Sequence, residues 1–419
     1  MNGLRGWLLL AVVAAAGAGA IARSDWARLA WEPSAVAESD FELHWAAGRA
    51  LLAGLDPYDP RAVDAIGRPT GRPDTPFCAA NPLVVRLFGL AGEDLPAGYR
   101  AWRAWNLVLL AAAVLALAAC LRTALGDAAS PAAALAVALG LVALNDGTWM
   151  SFYYNQTNVV TLLAVVLALR AAQAGRQGAE GVLLAIATVA KTSPALLLLV
   201  AALAGRWRTL LAGLATLALL AGLSLAWNGA PAHASYLEML RLRLGYAAQV
   251  PAGEFNNSLH DWNLAPNGLL SRAGEAGGWP ASWTAAAVWS VTVAVLAALA
   301  FRLRPRAGRA APDVLAQYAA GVAATFLVSS VTWTTHLSLA AVPCAWLVVQ
   351  SWTARRLVGA APWLLAAGAA ATAVLFLPLG SFGDDLRLHH DILLKADACL
   401  ALFAIALAWP RAAPAEGAR

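Results

Sequence analysis

The sequence predicts an all-α polytopic membrane protein, and three observations carry the prediction. Sixty per cent of the 419 residues are hydrophobic and 13% are charged, far less charge than a soluble domain of this length carries. Apolar runs close to the ~20 residues needed to cross a bilayer recur along the whole chain. Eighteen tryptophans suit a protein with long membrane–water boundaries, where indole rings sit well. The net charge of +5 does not imply a nucleic-acid partner. The arginines mostly lie between apolar runs, where the positive-inside rule accounts for them. Cys78, Cys120, Cys344 and Cys399 show no C-x-x-C spacing, so neither a disulfide framework nor a metal knuckle follows.

In chain order the spanning runs fall near 4–22, 104–121, 132–149, 158–174, 209–227, 284–301, 314–331, 337–353, 359–378 and 392–409. Segment 181–204 is also apolar, but Lys191, Thr192, Ser193 and Pro194 interrupt it. The prediction is one integral membrane domain over 1–419, with about 10–12 helices in the bilayer. Its parts are a first span at 1–22, an outer loop at 23–103 and spans over 104–227 with a break at 191–194. A second outer loop at 228–283, C-terminal spans over 284–409 and a cytoplasmic tail at 410–419 follow. The first run also resembles a secretory signal, because Ala20-Ile21-Ala22 follows Arg5 and an apolar stretch. An uncleaved span is preferred because the run is long and the outer loop needs an anchor.

Arginines set the orientation. With the N-terminus inside, inner loops carry Arg122, then Arg170 and Arg176, then Arg206 and Arg208. Arg302, Arg304, Arg306 and Arg309, then Arg355 and Arg356, then Arg411 and Arg419 follow. This holds only if 181–204 enters and returns on the same side, as two short helices, 181–190 and 195–204. Irregular backbone at membrane depth requires protein or a water-filled cavity around it. The outer side then receives all six histidines, His44, His233, His260, His336, His389 and His390, or has them at its edge.

The first outer loop opens with Ser39-Asp40-Phe41-Glu42, an S-x-x-E capping box. The predicted helix runs to about Ala53, is ended by Gly54 and is followed by a turn at Asp56-Pro57-Tyr58. Phe41, Trp45, Gly48 and Leu52 give it one apolar or small face, so it is expected to lie along the membrane surface. Asp40 and His44 share another face. A carboxylate in the first turn is stabilised by the helix dipole, and beside an apolar face it suits a general base. It equally serves a helix start, and His44 equally suits an ordinary interfacial position. Lys191 is one of two lysines and sits inside an apolar segment. Intramembrane ammonium groups mark functional sites, although the side chain also has the reach to snorkel or to pair with an outer carboxylate. Pro194 helps break the helix. Asn257, Ser258 and His260 have the polarity to meet sugar hydroxyls, or simply build a turn. Arg103 and Arg272 are further outer-side cations with the charge to meet phosphate, and Arg272 is counted among the substrate-binding candidates. His389-His390 beside Asp391 presents poorly to one metal, so no metal is expected.

These stretches, in order, resemble a known family. They are "SDFELHWAAGRALLAGLDPYDP", "YYNQTNVVTLLAVVLALRA", "GVLLAIATVAKTSPALLLLVAALAGRWR", "FNNSLHDW" and "VTWTTHLSLAAVP". Together they are similar to the family 87 glycosyltransferases, formerly DUF2029, over about 36–350. The resemblance implies a GT-C architecture with membrane-surface helices in the first outer loop. It implies a polyprenyl-phosphate sugar donor, with mannose first in line, and a glycolipid or glycan hydroxyl as acceptor. The activity expected is an inverting hexosyltransferase that needs no cofactor beyond its donor substrate. Asp40 takes the place of the general base, and His336 that of a catalytic or acceptor-orienting histidine. Lys191 takes that of the phosphate contact, while Asn155, Gln156, Asn257 and Ser258 fall at substrate-facing positions. The chain departs from the family pattern in three places. Asn81-Pro82 stands where many relatives have Tyr-Pro-Pro, Asn155 where a Gly is common, and Thr335 where a second His precedes His336.

The expected location is a bacterial plasma membrane, with both termini cytoplasmic and the active site outside. Bulk lipids are the remaining partners. The Ala-, Arg- and Gly-rich, Lys-poor composition fits a GC-rich genome. A transporter would also place a lysine in a broken helix, but no second Lys-x-x-Pro segment recurs in the later half. A non-catalytic member of the same fold is the other alternative.

Overall fold

The computed structural model describes residues 39–66, 78, 80–243, 263–304, 313–353, 361–376 and 386–409. These residues are helical throughout, apart from turns. Three helices come first: α1 (Asp40–Leu52), α2 (Pro60–Ala65) and α3 (Pro82–Gly89). They precede the long α4 (Leu95–Leu125). Next are α5 (Pro131–Ala143), α6 (Asp146–Tyr153), α7 (Asn158–Gln173), α8 (Gln177–Ala190) and α9 (Ala195–Leu203). The remainder are α10 (Trp207–Arg243), α11 (Pro266–Ala276), α12 (Ala281–Leu303), α13 (Val314–Val328), α14 (Ala341–Thr353), α15 (Ala361–Phe376) and α16 (Leu386–Ala408). A 3₁₀ turn, Thr334–Ala340, leads into α14.

Two cores form. The larger joins α4, α5, α7, α8, α9, α13, α14 and α16 around Leu117, Leu162, Tyr318 and Trp346. The smaller packs α1 on α3 and the start of α4, with Phe41 edge-on to Phe88 at 5.5 Å and to Tyr99 at 5.8 Å. Large apolar side chains such as Leu115, Leu219 and Val293 stay exposed on α4, α10 and α12. A soluble protein avoids such surfaces, whereas lipid-facing helices require them.

Several expected spans are remodelled. Only α4, α10 and α12 are long and apolar enough to cross a membrane alone, by length and composition among the described residues. The run 132–149 is not straight: α5 and α6 meet at 59°. Helices α7 and α13 have 16 and 15 residues, and the expected span 337–353 begins as the 3₁₀ turn. The cause is shared. Polar residues at one end of the bundle, Asn145, Asn155, Gln156 and His336, leave the helical ladder to make tertiary contacts. Past a break at Gly229 (φ 75°) the chain stays helical to Arg243, and this segment meets the first loop, with Ser235 donating to Asp56 at 2.7 Å. The first run at 1–22 and the tail at 410–419 lie outside the described residues.

The interrupted segment is a hairpin. Helix α8 ends at Ala190 and α9 starts at Ala195. The far ends come together: Arg206 meets Glu180 at 3.2 Å, and Gly181 packs so closely on Thr209 that a Cβ would fall on its carbonyl. Other contacts join helix ends and loops across the bundle. At the Glu180 end, Arg170 donates to Thr123 (3.0 Å), Arg302 to the Trp409 carbonyl (2.7 Å) and Trp352 to the Ala128 carbonyl (2.9 Å). At the opposite end, the Asp40 amide donates to Tyr154 (3.1 Å) and Asn145 to Leu337 (2.8 Å).

Candidate active site

The site lies where α1, the α6–α7 turn, the α8–α9 break and the 3₁₀ turn converge. Helix α1 begins at Asp40, as the capping pattern predicts, but not by that mechanism. Ser39 sits at the N-cap in an extended conformation, and its side chain makes no capping hydrogen bond. The backbone N–H of Asp40 instead donates to the Tyr154 carbonyl, so a distant turn satisfies one donor that a helix start leaves open. Gly54, with φ 78°, follows the helix, and Leu55 N–H closes back on the Ala50 carbonyl at 2.9 Å. Burial extends beyond the predicted face, to Glu42, Leu43, Ala46, Ala47, Ala50 and Leu51. Gly48 permits this because a Cβ there would fall on the backbone of Val85 and Gly89 of α3.

The α8–α9 break exposes the last carbonyls of α8, which need partners. Asn81 donates to Val189 (2.6 Å) and Thr157 to Ala190 (3.0 Å). Asn81 also caps α3 through the Val84 N–H at 3.2 Å. Asn81 therefore serves as a joint between the first loop and the break.

Asp40, Gln156 and Lys191 are brought together from three separate parts of the chain. Gln156 donates its amide N–H to Asp40 Oδ2. Its Oε1 accepts from Asn158 at 2.5 Å and faces the Lys191 ammonium at 3.5 Å. Asp40, Gln156 and Lys191 are each half-buried, so the carboxylate, the amide and the ammonium keep exposed surface. Sequence reasoning did not pick out Asn158. Its spacing of two from Gln156 was visible, but nothing in the sequence oriented the two amides.

The histidines are placed differently from expectation. His44 Nδ1 lies 2.5 Å from the Asp40 carbonyl, so Nδ1 carries the proton and bonds the backbone of Asp40, not its carboxylate. The ring packs on Phe88 at 5.0 Å. Burial holds His44 below the usual imidazole range, against the opposing pull of Asp40. His336 Nδ1 accepts from the Trp333 N–H at 3.4 Å. Burial, reinforced by the Lys191 ammonium, holds its pKa well below the usual value. A neutral ring can orient a hydroxyl, but it is not a second cation for a phosphate. Cys78 is buried, and burial pushes its thiol up to about 12, which leaves it unreactive as a nucleophile.

Two expected substrate contacts are spent on the protein itself. Asn155 is 0% exposed. Its amide donates to the Tyr99 carbonyl at 3.2 Å and accepts from Asn106 at 3.0 Å, and its own carbonyl accepts from Trp102 at 3.1 Å. With φ 55° it occupies the left-handed region, which Gly and Asn enter most readily. That conformation makes Asn155 a turn residue. Arg272, on α11, donates to the Asn263 carbonyl at 3.2 Å, a loop-holding contact. Arg103 is likewise fully buried, donating to the carbonyls of Phe152 and Tyr153, both at 2.8 Å. Asn257, Ser258 and His260 lie outside the described residues, as do the side chains of His389 and His390.

A second missed feature supports the 3₁₀ turn. Lys395, 1% exposed on α16, pairs with Asp146 at 2.7 Å. Asp146 opens α6 beside Asn145, whose side chain donates to Leu337. Ser151 adds a bond to the Thr335 carbonyl at 2.8 Å. A Cβ on Gly147 would come within 2.5 Å of the Ser338 nitrogen, so α6 and the turn carrying His336 are in backbone contact. Lysine rarity marked Lys395 in the sequence, but its partner lies 249 residues away.

Comparison with known proteins agrees with this architecture. The model of glycosyltransferase family 87 matches residues 75–330, which include Gln156, Asn158 and Lys191 and lie between Asp40 and His336. No curated protein matches the chain. With that match over more than half its length, and with an all-helical, lipid-facing bundle around the site, the chain belongs to glycosyltransferase family 87 and is a membrane glycosyltransferase.

Proposed function

We propose that the protein moves a sugar, mannose first in line, from a polyprenyl-phosphate donor to a hydroxyl of an envelope glycolipid or glycan. The observation that carries this reading is the meeting of the Asp40 carboxylate with the Lys191 ammonium across Gln156. Asp40 accepts the proton of the attacking hydroxyl. The hydroxyl oxygen bonds to the anomeric carbon as the bond from that carbon to the phosphate oxygen breaks. The lipid phosphate leaves with the electron pair, and Lys191 meets its charge. One displacement inverts the anomeric configuration, so a β-linked donor yields an α-linked product. Neutral His336 orients the acceptor. The reaction as written needs no metal or other cofactor, because Lys191 supplies the positive charge.

We place the site on the outer face of a bacterial plasma membrane, with both termini cytoplasmic. The gathering of Arg122, Arg170, Arg206 and Arg302 in the loops of the opposite end supports that orientation. The test uses the purified full-length protein with radiolabelled polyprenyl-phosphate-mannose and a panel of glycolipid acceptors. Asp40→Asn is expected to lower transfer by about 10²–10⁴-fold; undiminished transfer would remove Asp40 as the base.

A further inference from the structure

Gln156 stands between two opposite charges, and the two ends of its amide are not interchangeable. Its Oε1 end meets donors: the Asn158 amide at 2.5 Å and the Lys191 ammonium at 3.5 Å. Its nitrogen end meets an acceptor, Asp40 Oδ2. A flipped amide would turn its N–H groups onto an ammonium and another N–H₂, and its oxygen onto a carboxylate. Lys has no acceptor, and an ionised Asp has no donor, so both charged partners select the same orientation. Asn158 is the more fixed of the two donors. It is 2% exposed and is the first residue of α7, whereas the long contact from half-buried Lys191 leaves that ammonium free to swing to an incoming anion.

The consequences concern both charges. A carboxylate has two oxygens, and Gln156 occupies Oδ2. A side chain without polar atoms at this place would let Lys191 close on Asp40. The ammonium would then be drawn from the phosphate, and the base would be masked from the hydroxyl. We propose that Gln156 is a positioning residue that holds Asp40 Oδ2 and keeps Lys191 apart from it, leaving Oδ1 for the acceptor hydroxyl, and that Asn158 fixes the Gln156 amide in this orientation. The proposal rests on Asp40 acting as the base.

Infrared difference spectroscopy of the full-length protein in nanodiscs tests it without any substrate. The carboxylate stretch that is present in the wild type and lost in Asp40→Asn belongs to Asp40. In Gln156→Met, which retains chain length at a half-exposed position, that band is expected to move. In Asn158→Ala it is expected to move as well, because the amide loses the nearer and more buried of the two donors to its oxygen. An unmoved band in Gln156→Met overturns the proposal. A band that moves in Gln156→Met but not in folded Asn158→Ala overturns the role of Asn158. Transfer from polyprenyl-phosphate-mannose is then expected to fall about tenfold in Gln156→Met. Full transfer by Asp40→Asn would instead defeat the base assignment, whatever the band does.

Discussion

Arg206 lies 3.2 Å from Glu180, although the stretch between them is apolar and long enough to cross a bilayer once. Glu180 is fully buried and also accepts from Thr209 at 2.7 Å and from Tyr318 at 3.0 Å. Arg206 in turn donates to Gln317. This cluster fastens the base of the α8–α9 hairpin to α10 and α13, and so sets how far Lys191 is raised toward Asp40. Removing one partner of a buried pair leaves an uncompensated charge, at about 3–5 kcal/mol. Glu180→Ala is therefore expected to lower the thermal midpoint in detergent well beyond a surface substitution. A cysteine at 206 is expected to react with an impermeant thiol reagent from the cytoplasmic side alone; labelling from outside would contradict the hairpin's proposed orientation.

Lys191→Met removes the cation and keeps the chain length. If the ammonium meets the leaving phosphate, kcat is expected to fall about 10²–10³-fold, the cost typical of losing a group aimed at developing negative charge. Lys191→Arg should restore part of it. Steady-state transfer from the labelled donor decides this, and a loss confined to acceptor KM would place Lys191 elsewhere in the mechanism.

The Asp146–Lys395 pair makes a sharper stability prediction. Each single change, Asp146→Ala or Lys395→Met, should cost about 3–5 kcal/mol by removing one partner of a buried ion pair. The double variant should recover much of that loss, because it removes both charges. Thermal unfolding of the four proteins forms a double-mutant cycle, and strictly additive losses would show that the ion pair itself contributes no coupling.

Acid should destabilise the fold through His44 and His336. Both rings are held below the ordinary value of 6.5 by burial. The unfolded chain therefore binds protons first as the pH falls, and stability rises with pH in that window. The contribution is fully present above about pH 6.5 and is lost progressively below it. Thermal midpoints should drop from pH 7.5 to pH 5, and His336→Gln should flatten that slope. An unchanged slope in the variant would mean that other groups carry the acid sensitivity.

Much of the architecture was legible in the sequence. Apolar runs of bilayer length pointed to an all-α membrane protein, because lipid admits only helices and closed barrels, and continuous apolar runs of ~20 residues fit helices. The helix from Asp40 to Gly54 and the break at Lys191–Pro194 were readable because capping residues, glycine and proline act on their own neighbours. The hairpin followed from that break together with the charge distribution: the arginines could share one side only if 181–204 returned to it.

What tertiary structure decided was the partner of each polar group. Gln156 and Asn155 are adjacent and equally polar, yet one amide faces Asp40 and Lys191 while the other is consumed by Tyr99 and Asn106. His44 shares a face with Asp40 but bonds its backbone carbonyl. Lys395 finds Asp146 across the bundle. Sequence spacing determines which side chains share a helix face. It does not determine which donors meet which acceptors between helices, because those pairings depend on how the bends at Asn145, Asn155 and Lys191 bring distant segments together.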